Sequence, residues 1–171
     1  MIEKILNGNF YNPSKGKLKI EEVIQEMLDY IIERPEKSYE ITIGCDSSSS
    51  QEPNFPLAIV ILRFGEGGRF FLKRISYKGR KFYNWKTRIL EEVFLSCQMA
   101  SYLRENFEKK IKDSKIKNLH YQLRYIHADV GENGKTKDMI KEVIGLIIGN
   151  GFEAKIKPES FAASNVADRF S

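Results

Sequence analysis

Residues 39–46 read YEITIGCD. Tyr39 to Cys45 alternates and is rich in β-branched side chains, the pattern of a strand, and Asp46 follows at its carboxyl end, where open α/β sheets place their chemistry. Towards the N-terminus, Leu18, Val23, Ile24, Met27, Leu28, Ile31 and Ile32 recur at helical spacing until Pro35. This spacing predicts an amphipathic helix over 18–34, an N-terminal extension of the domain preceded by a short irregular start. Towards the C-terminus, Leu57 to Phe64 (LAIVILRF) is a nearly continuous apolar run, and Gly65 to Gly68 turns the chain into Arg69 to Tyr77. These segments predict an antiparallel three-strand meander, with the Ser- and Pro-rich stretch Ser47 to Pro56 as a long hairpin loop.

The helical period returns from about Tyr83 to Phe107, with Ile89, Leu90, Val93, Phe94, Cys97, Ala100 and Leu103 as its inward stripe. Beyond it, Tyr121 to Ala128 predicts a fourth strand, Thr136 to Ile148 a helix closed by Gly149 and Gly151, Phe152 to Lys157 a fifth strand, and Ser160 to Phe170 a last short helix. Strand–helix–strand units after a meander imply an α/β fold: a mixed five-stranded sheet, three strands antiparallel and two parallel, with helices on both faces.

The 171 residues, 42% apolar, suit one domain over 1–171. Lys and Arg number 28 against 23 acids, a net charge of +5 that tilts towards an anionic partner. Cys45 and Cys97 stand far apart without a CxxC spacing or a nearby histidine, so they read as reduced core residues rather than zinc ligands or a disulfide. No stretch approaches the roughly 20 apolar residues of a membrane span, and MIEKILNGNF lacks a continuous apolar leader core, so a cytoplasmic protein is expected.

Asp129 follows YIHA as Asp46 follows ITIGC. If the two strands are neighbours, their carboxylates share a sheet edge, a costly arrangement that a cation relieves. A third acid is expected from the central helix, where Glu91 and Glu92 compete. Glu91 points almost opposite the apolar stripe and Glu92 flanks it, which favours Glu92. Asp168, in SNVADRF, is the final acid. His127 is expected on the sheet face away from Asp129, as a buried residue outside the acid set.

With this order and these acids, the chain resembles the YkuK-like family of ribonuclease H-like nucleases. The resemblance runs from FYNPSKGKL to the last residues and is sharpest at IGCDS around Asp46, IHADVGENGKT around Asp129 and NGFEAKIKPESFAASNVADRF around Asp168. It implies a ribonuclease H-like fold in which Asp46, Glu92, Asp129 and Asp168 bind two divalent ions, Mg²⁺ or Mn²⁺, and hydrolyse phosphodiester bonds of RNA, DNA or a hybrid. Cys45 stands where that resemblance leads one to expect a residue such as threonine. A nucleic-acid-binding module that keeps the fold without the chemistry is the alternative.

Between Arg69 and Arg88 lie eight basic residues and no acid, interleaved with Phe70, Phe71, Tyr77, Phe82, Tyr83 and Trp85. Cations beside aromatic rings suit phosphates beside bases, so Arg74, Lys78, Arg80, Lys81 and Lys86 are expected to bind nucleic acid. GENGKT (131–136) lacks the spacer of a nucleotide P-loop. It is read as a turn and helix cap that bring Lys135 to a substrate phosphate, with Lys157 and Glu159 supporting the site.

Overall fold

The computed structural model describes residues 2–171. Two elements open the chain that the sequence reading left irregular: helix α1 (Ile2–Leu6) and a hairpin of β1 (Phe10–Asn12) and β2 (Gly16–Leu18). Asn12 makes the turn, its side-chain oxygen accepting the backbone N–H groups of Ser14 and Lys15 at 2.9 Å, and Gly16 supplies the positive φ of +75°. Helix α2 (Ile20–Glu33) follows, its first turn closed by Lys19 N–H donating to the Glu22 carboxylate at 2.6 Å. The meander is β3 (Ser38–Cys45), β4 (Asn54–Arg63) and β5 (Gly67–Ser76), and β4 begins three residues before the predicted strand.

Helix α3 (Trp85–Ser114) begins behind Asn84, whose side chain accepts from Lys86 N–H, and ends at Lys115 in the left-handed conformation. It outruns the predicted end at Phe107 because EKKIKDS has no apolar period but good helix formers. Strand β6 (His120–His127), a 3₁₀ turn (Lys135–Met139), α4 (Ile140–Gly149) and β7 (Glu153–Lys155) complete the crossovers. The predicted last helix is a π-helical turn (Ala162–Ala167) running into a 3₁₀ turn (Asp168–Phe170), together the C-terminal segment.

The sheet is mixed, as expected, but has seven strands rather than five, in the order β2-β1-β5-β4-β3-β6-β7. The two extra strands are the N-terminal hairpin, which adds to the β5 edge where Tyr11 pairs with Leu72. β3 runs antiparallel to β4 and parallel to β6, which is parallel to β7.

Helical segments lie on both faces, as expected, but very unequally. Apolar residues of α1 to α4 join Tyr39, Ile41, Ile43, Leu57, Ile59 and Phe71 in one core on a single face. The opposite face has a small patch, Ala58, Val60 and Leu72, covered by Ala162 and Ala167 of the C-terminal segment. Among the described residues no helix is long and apolar enough to cross a membrane. Cys45 and Cys97 are buried free thiols.

Candidate active site

Adjacent parallel strands bring their carboxyl ends to one edge, and Ile43 and Gly44 of β3 register with Ile126 and His127 of β6. Asp46 leaves β3 with its N–H on the Pro56 carbonyl at 3.2 Å, and Asp129 leaves β6 beside it. From the helix-covered side, α3 presents Glu92, only 7% exposed, with the Ser47 hydroxyl donating to it at 2.5 Å. From the other side, the C-terminal segment brings Asp168 within hydrogen-bonding reach of Asp46.

That segment lies close because residue 44 is glycine. A Cβ there would sit 2.4 Å from the Ala163 nitrogen and 2.6 Å from the Ala162 carbonyl carbon. Ala162 N–H donates to His127 Nδ1 at 3.1 Å, and the Phe161 ring meets the imidazole edge-to-face at 4.6 Å. The Ser164 hydroxyl donates to Asp129 Oδ1.

Of the predicted acids, Asp46 thus lies near Asp129 and Asp168, and Glu92, held by Ser47, lies near Asp46 and Asp129. Glu91 instead accepts from the Tyr77 hydroxyl and from Arg80 at 3.2 Å. Burial foremost, with the charges of Asp129 and Asp168, pushes the Asp46 carboxyl up to about 7 against the lowering pull of the Ser47 N–H. Burial likewise raises Glu92 well above the carboxylate range, with Asp46 and Asp129 adding to it and the Ser47 hydroxyl opposing. Two acids held proton-hungry by burial foremost, with neighbouring carboxylates adding to it, mark a site that gains from positive charge.

Part of that charge comes from the chain. Lys157 Nζ lies 3.2 Å from Asp129 Oδ2, so both oxygens of Asp129 have donors. Among the described residues no three His, Cys, Asp or Glu side chains stand together in an arrangement that could hold a metal ion.

His127 does not turn away from the site. Residues two apart on a strand share a face, and the C-terminal segment touches both His127 and Asp129. Buried there beside Lys155, its imidazole is lowered to about 4 and stays neutral. Its Nε2 and the Thr42 hydroxyl on the neighbouring strand are buried without protein partners. The sequence reading missed Ser47, Ser164 and Gly44. Ser47 had adjacency to Asp46 as a signal and Ser164 its i,i+4 spacing to Asp168, whereas nothing in the pattern marks Gly44.

The basic stretch divides. Arg74, Lys78, Lys81 and Lys86 are exposed, but Arg80 is spent on Glu91 and on the rings of Tyr77 and Phe82. Phe71 and Phe82 are buried, and Phe55, Tyr77 and Phe82 pack together, so these rings are core rather than stacking surfaces. Tyr83, at 75%, and the partly exposed Trp85 remain open. Lys86 and Lys135 both lie over Trp85, at 5.7 and 5.5 Å from its ring centre. Lys135 thus stands at the start of α3, two helical turns from Glu92. Lys157 and Glu159 line a cavity of about 500 Å³ with Asn133 and Pro158, beside Asp129.

Comparison with known proteins accords with this geometry. The profile of the family described as ribonuclease H-like matches residues 22–171. The uncharacterized protein YkuK of Bacillus subtilis (strain 168) is 30% identical over 169 residues, which span 95% of this chain and 96% of that protein.

Proposed function

Because this chain belongs to the ribonuclease H-like family, we propose that it is a metal-dependent nuclease that hydrolyses phosphodiester bonds of nucleic acid in the cytoplasm. One observation carries the reading: Asp46 and Asp129 leave neighbouring parallel strands at one sheet edge, with Glu92 of α3 and Asp168 of the C-terminal segment close to Asp46, whose carboxyl burial foremost and the nearby acids push towards the protonated form. Four hard oxygen donors with no sulfur or imidazole in the set fit Mg²⁺ or Mn²⁺. Asp46, flanked by Asp129 and Asp168, would be the ligand to hold such ions, with Glu92, Asp129 and Asp168 beside it. When bound, such ions supply an activated water and stabilise the leaving oxygen.

The chain's own residues do the rest. Ser47 and Ser164 fix the Glu92 and Asp129 carboxylates in orientation. The buried floor of Ile43, Cys45 and Ile126 excludes bulk water from beneath the acids. Lys157 balances Asp129 and is exposed enough to swing to a substrate phosphate. Lys78, Lys81, Lys86 and Lys135 draw the polyanion towards α3, where Trp85 and Tyr83 offer open ring faces.

The ion pair of Lys157 with Asp129 also favours a second reading, a binding module on the same fold that performs no cleavage. One experiment separates the two. Mn²⁺ titration by calorimetry, run beside cleavage of labelled RNA, DNA and hybrid strands, should show ion binding and cutting by the wild type and loss of both in Asp46→Asn. Nucleic-acid binding without Mn²⁺ binding or cutting would select the silent module.

A further inference from the structure

The N-terminal hairpin gives the sheet a second recognition surface that the acids do not use. Tyr11 pairs with Leu72 of β5 and with Lys17 of β2. Leu72 belongs to the patch under the C-terminal segment, so Tyr11 and Lys17 stand on that face, away from the helices, and Arg74, two residues beyond Leu72, shares it. With Phe170 these residues line a groove of about 380 Å³, within the roughly 300–1,000 Å³ of typical ligand sites. Phe170 tilts against Phe70 at 6.1 Å and walls the groove on the side of the acids.

Three features describe what fits. Tyr11 is a large aromatic left 44% exposed. The nearby cations Lys15 and Arg69 both turn to Glu26, at 3.7 and 3.6 Å, whereas Lys17 and Arg74 have no carboxylate partner among the described residues. Finally, the ladder fixes the groove relative to the site. Arg74 pairs with Pro56, whose carbonyl accepts the Asp46 N–H. Two interstrand steps of about 4.8 Å put Arg74 roughly 10 Å from Asp46, with Tyr11 one strand further. At a stacked rise of about 3.4 Å per nucleotide, that is about three nucleotides.

We propose that this groove holds an unpaired flank of the nucleic acid, with a base stacked on Tyr11 and backbone phosphates at Arg74 and Lys17. An aromatic face beside unpaired cations is how sequence-tolerant single-strand sites work, and a duplex, its base faces hidden, gains nothing from Tyr11. The family profile begins at residue 22, so Tyr11 and Lys17 lie outside it. The nature of the ligand rests on the nuclease reading, but the groove itself needs no cleavage.

The test is fluorescence anisotropy, without divalent ions, on fluorescein-labelled 12-mers of oligo(U) and oligo(dT) and on a blunt duplex of equal length. Tyr11→Ala should weaken single-strand binding about tenfold, Tyr11→Trp should restore it, and neither should change duplex binding. Arg74→Ala should lower the salt slope on single strands by about one. Wild-type single-strand affinity in Tyr11→Ala, or equal losses on strand and duplex, would overturn the proposal. Since no cutting is measured, these outcomes stand whether or not the acids prove catalytic.

Discussion

Glu91 accepts from Tyr77 and Arg80, while its neighbour Glu92 faces Ser47, Asp46 and Asp129 across a buried seam. Glu91→Gln is therefore expected to cost about 1 kcal/mol of stability, read from denaturant midpoints, and to leave Mn²⁺ affinity unchanged. Glu92→Gln should leave stability about level, since burial already holds this side chain towards its uncharged form, and weaken Mn²⁺ at least about tenfold by calorimetry. The pH behaviour turns on groups of opposite sign, His127 on one side and Asp46 with Glu92 on the other. His127 falls from 6.5 to about 4 in the fold, so the unfolded chain takes up a proton first, and stability is lost as pH drops from about 6.5 to 4. The effect is on the order of 3 kcal/mol. Asp46 rises from 3.8 to about 7. Here the folded state holds the proton more tightly, so its contribution is full below 3.8 and is lost as pH climbs through 7. In ion-free buffer the two windows overlap and oppose each other. Relative to the wild type, melting temperatures should fall more steeply with acid in Asp46→Asn and more steeply with base in His127→Gln; matching slopes in both variants would contradict these assignments.

The C-terminal segment is an element held by small residues. Ala162 and Ala163 lie directly on Gly44, so Gly44→Val, which cannot fit without moving backbone, should cost about 1–3 kcal/mol and lift Asp168 and Ser164 from the edge. The expected signature is new proteolytic cleavage near Ser164 together with weakened Mn²⁺ binding, and a wild-type digestion pattern would count against the crossing. This segment also explains what the sequence did and did not disclose. The pairing of β3 with β6 was legible because two apolar runs end alike at Asp46 and Asp129, and Glu92 was legible from the phase of α3. The hairpin was not, since strands of three residues are too short to show a period and its turn rests on one asparagine side chain. Nor was the placing of aromatics: alternation along β5 and the loop after it puts Phe71 and Phe82 in the core, and burial rather than composition decides which rings a ligand meets.

Across the whole molecule the charge is divided, acids at one sheet edge and unpaired cations around the start of α3. Lys78, Lys81 and Lys86 changed together to Ala should keep the melting temperature and reduce the salt slope of nucleic-acid binding by up to about three; an unchanged slope would place the contact elsewhere. The parallel ladder between β3 and β6 sets a different kind of limit. Ser38 registers with His120, and the whole meander and α3 lie between them, so this pairing closes one of the longest loops in the chain. Pairings of such separation are slow to close, because the loop entropy is lost before the contacts reward it. On the reading that this ladder zips after the rate-limiting step, the acid edge is incomplete in the transition state and an ion has nothing to grip beforehand. Added Mn²⁺ should slow the unfolding arm of a chevron plot and leave the refolding arm where it was, making the metal a brake on opening rather than a guide to assembly.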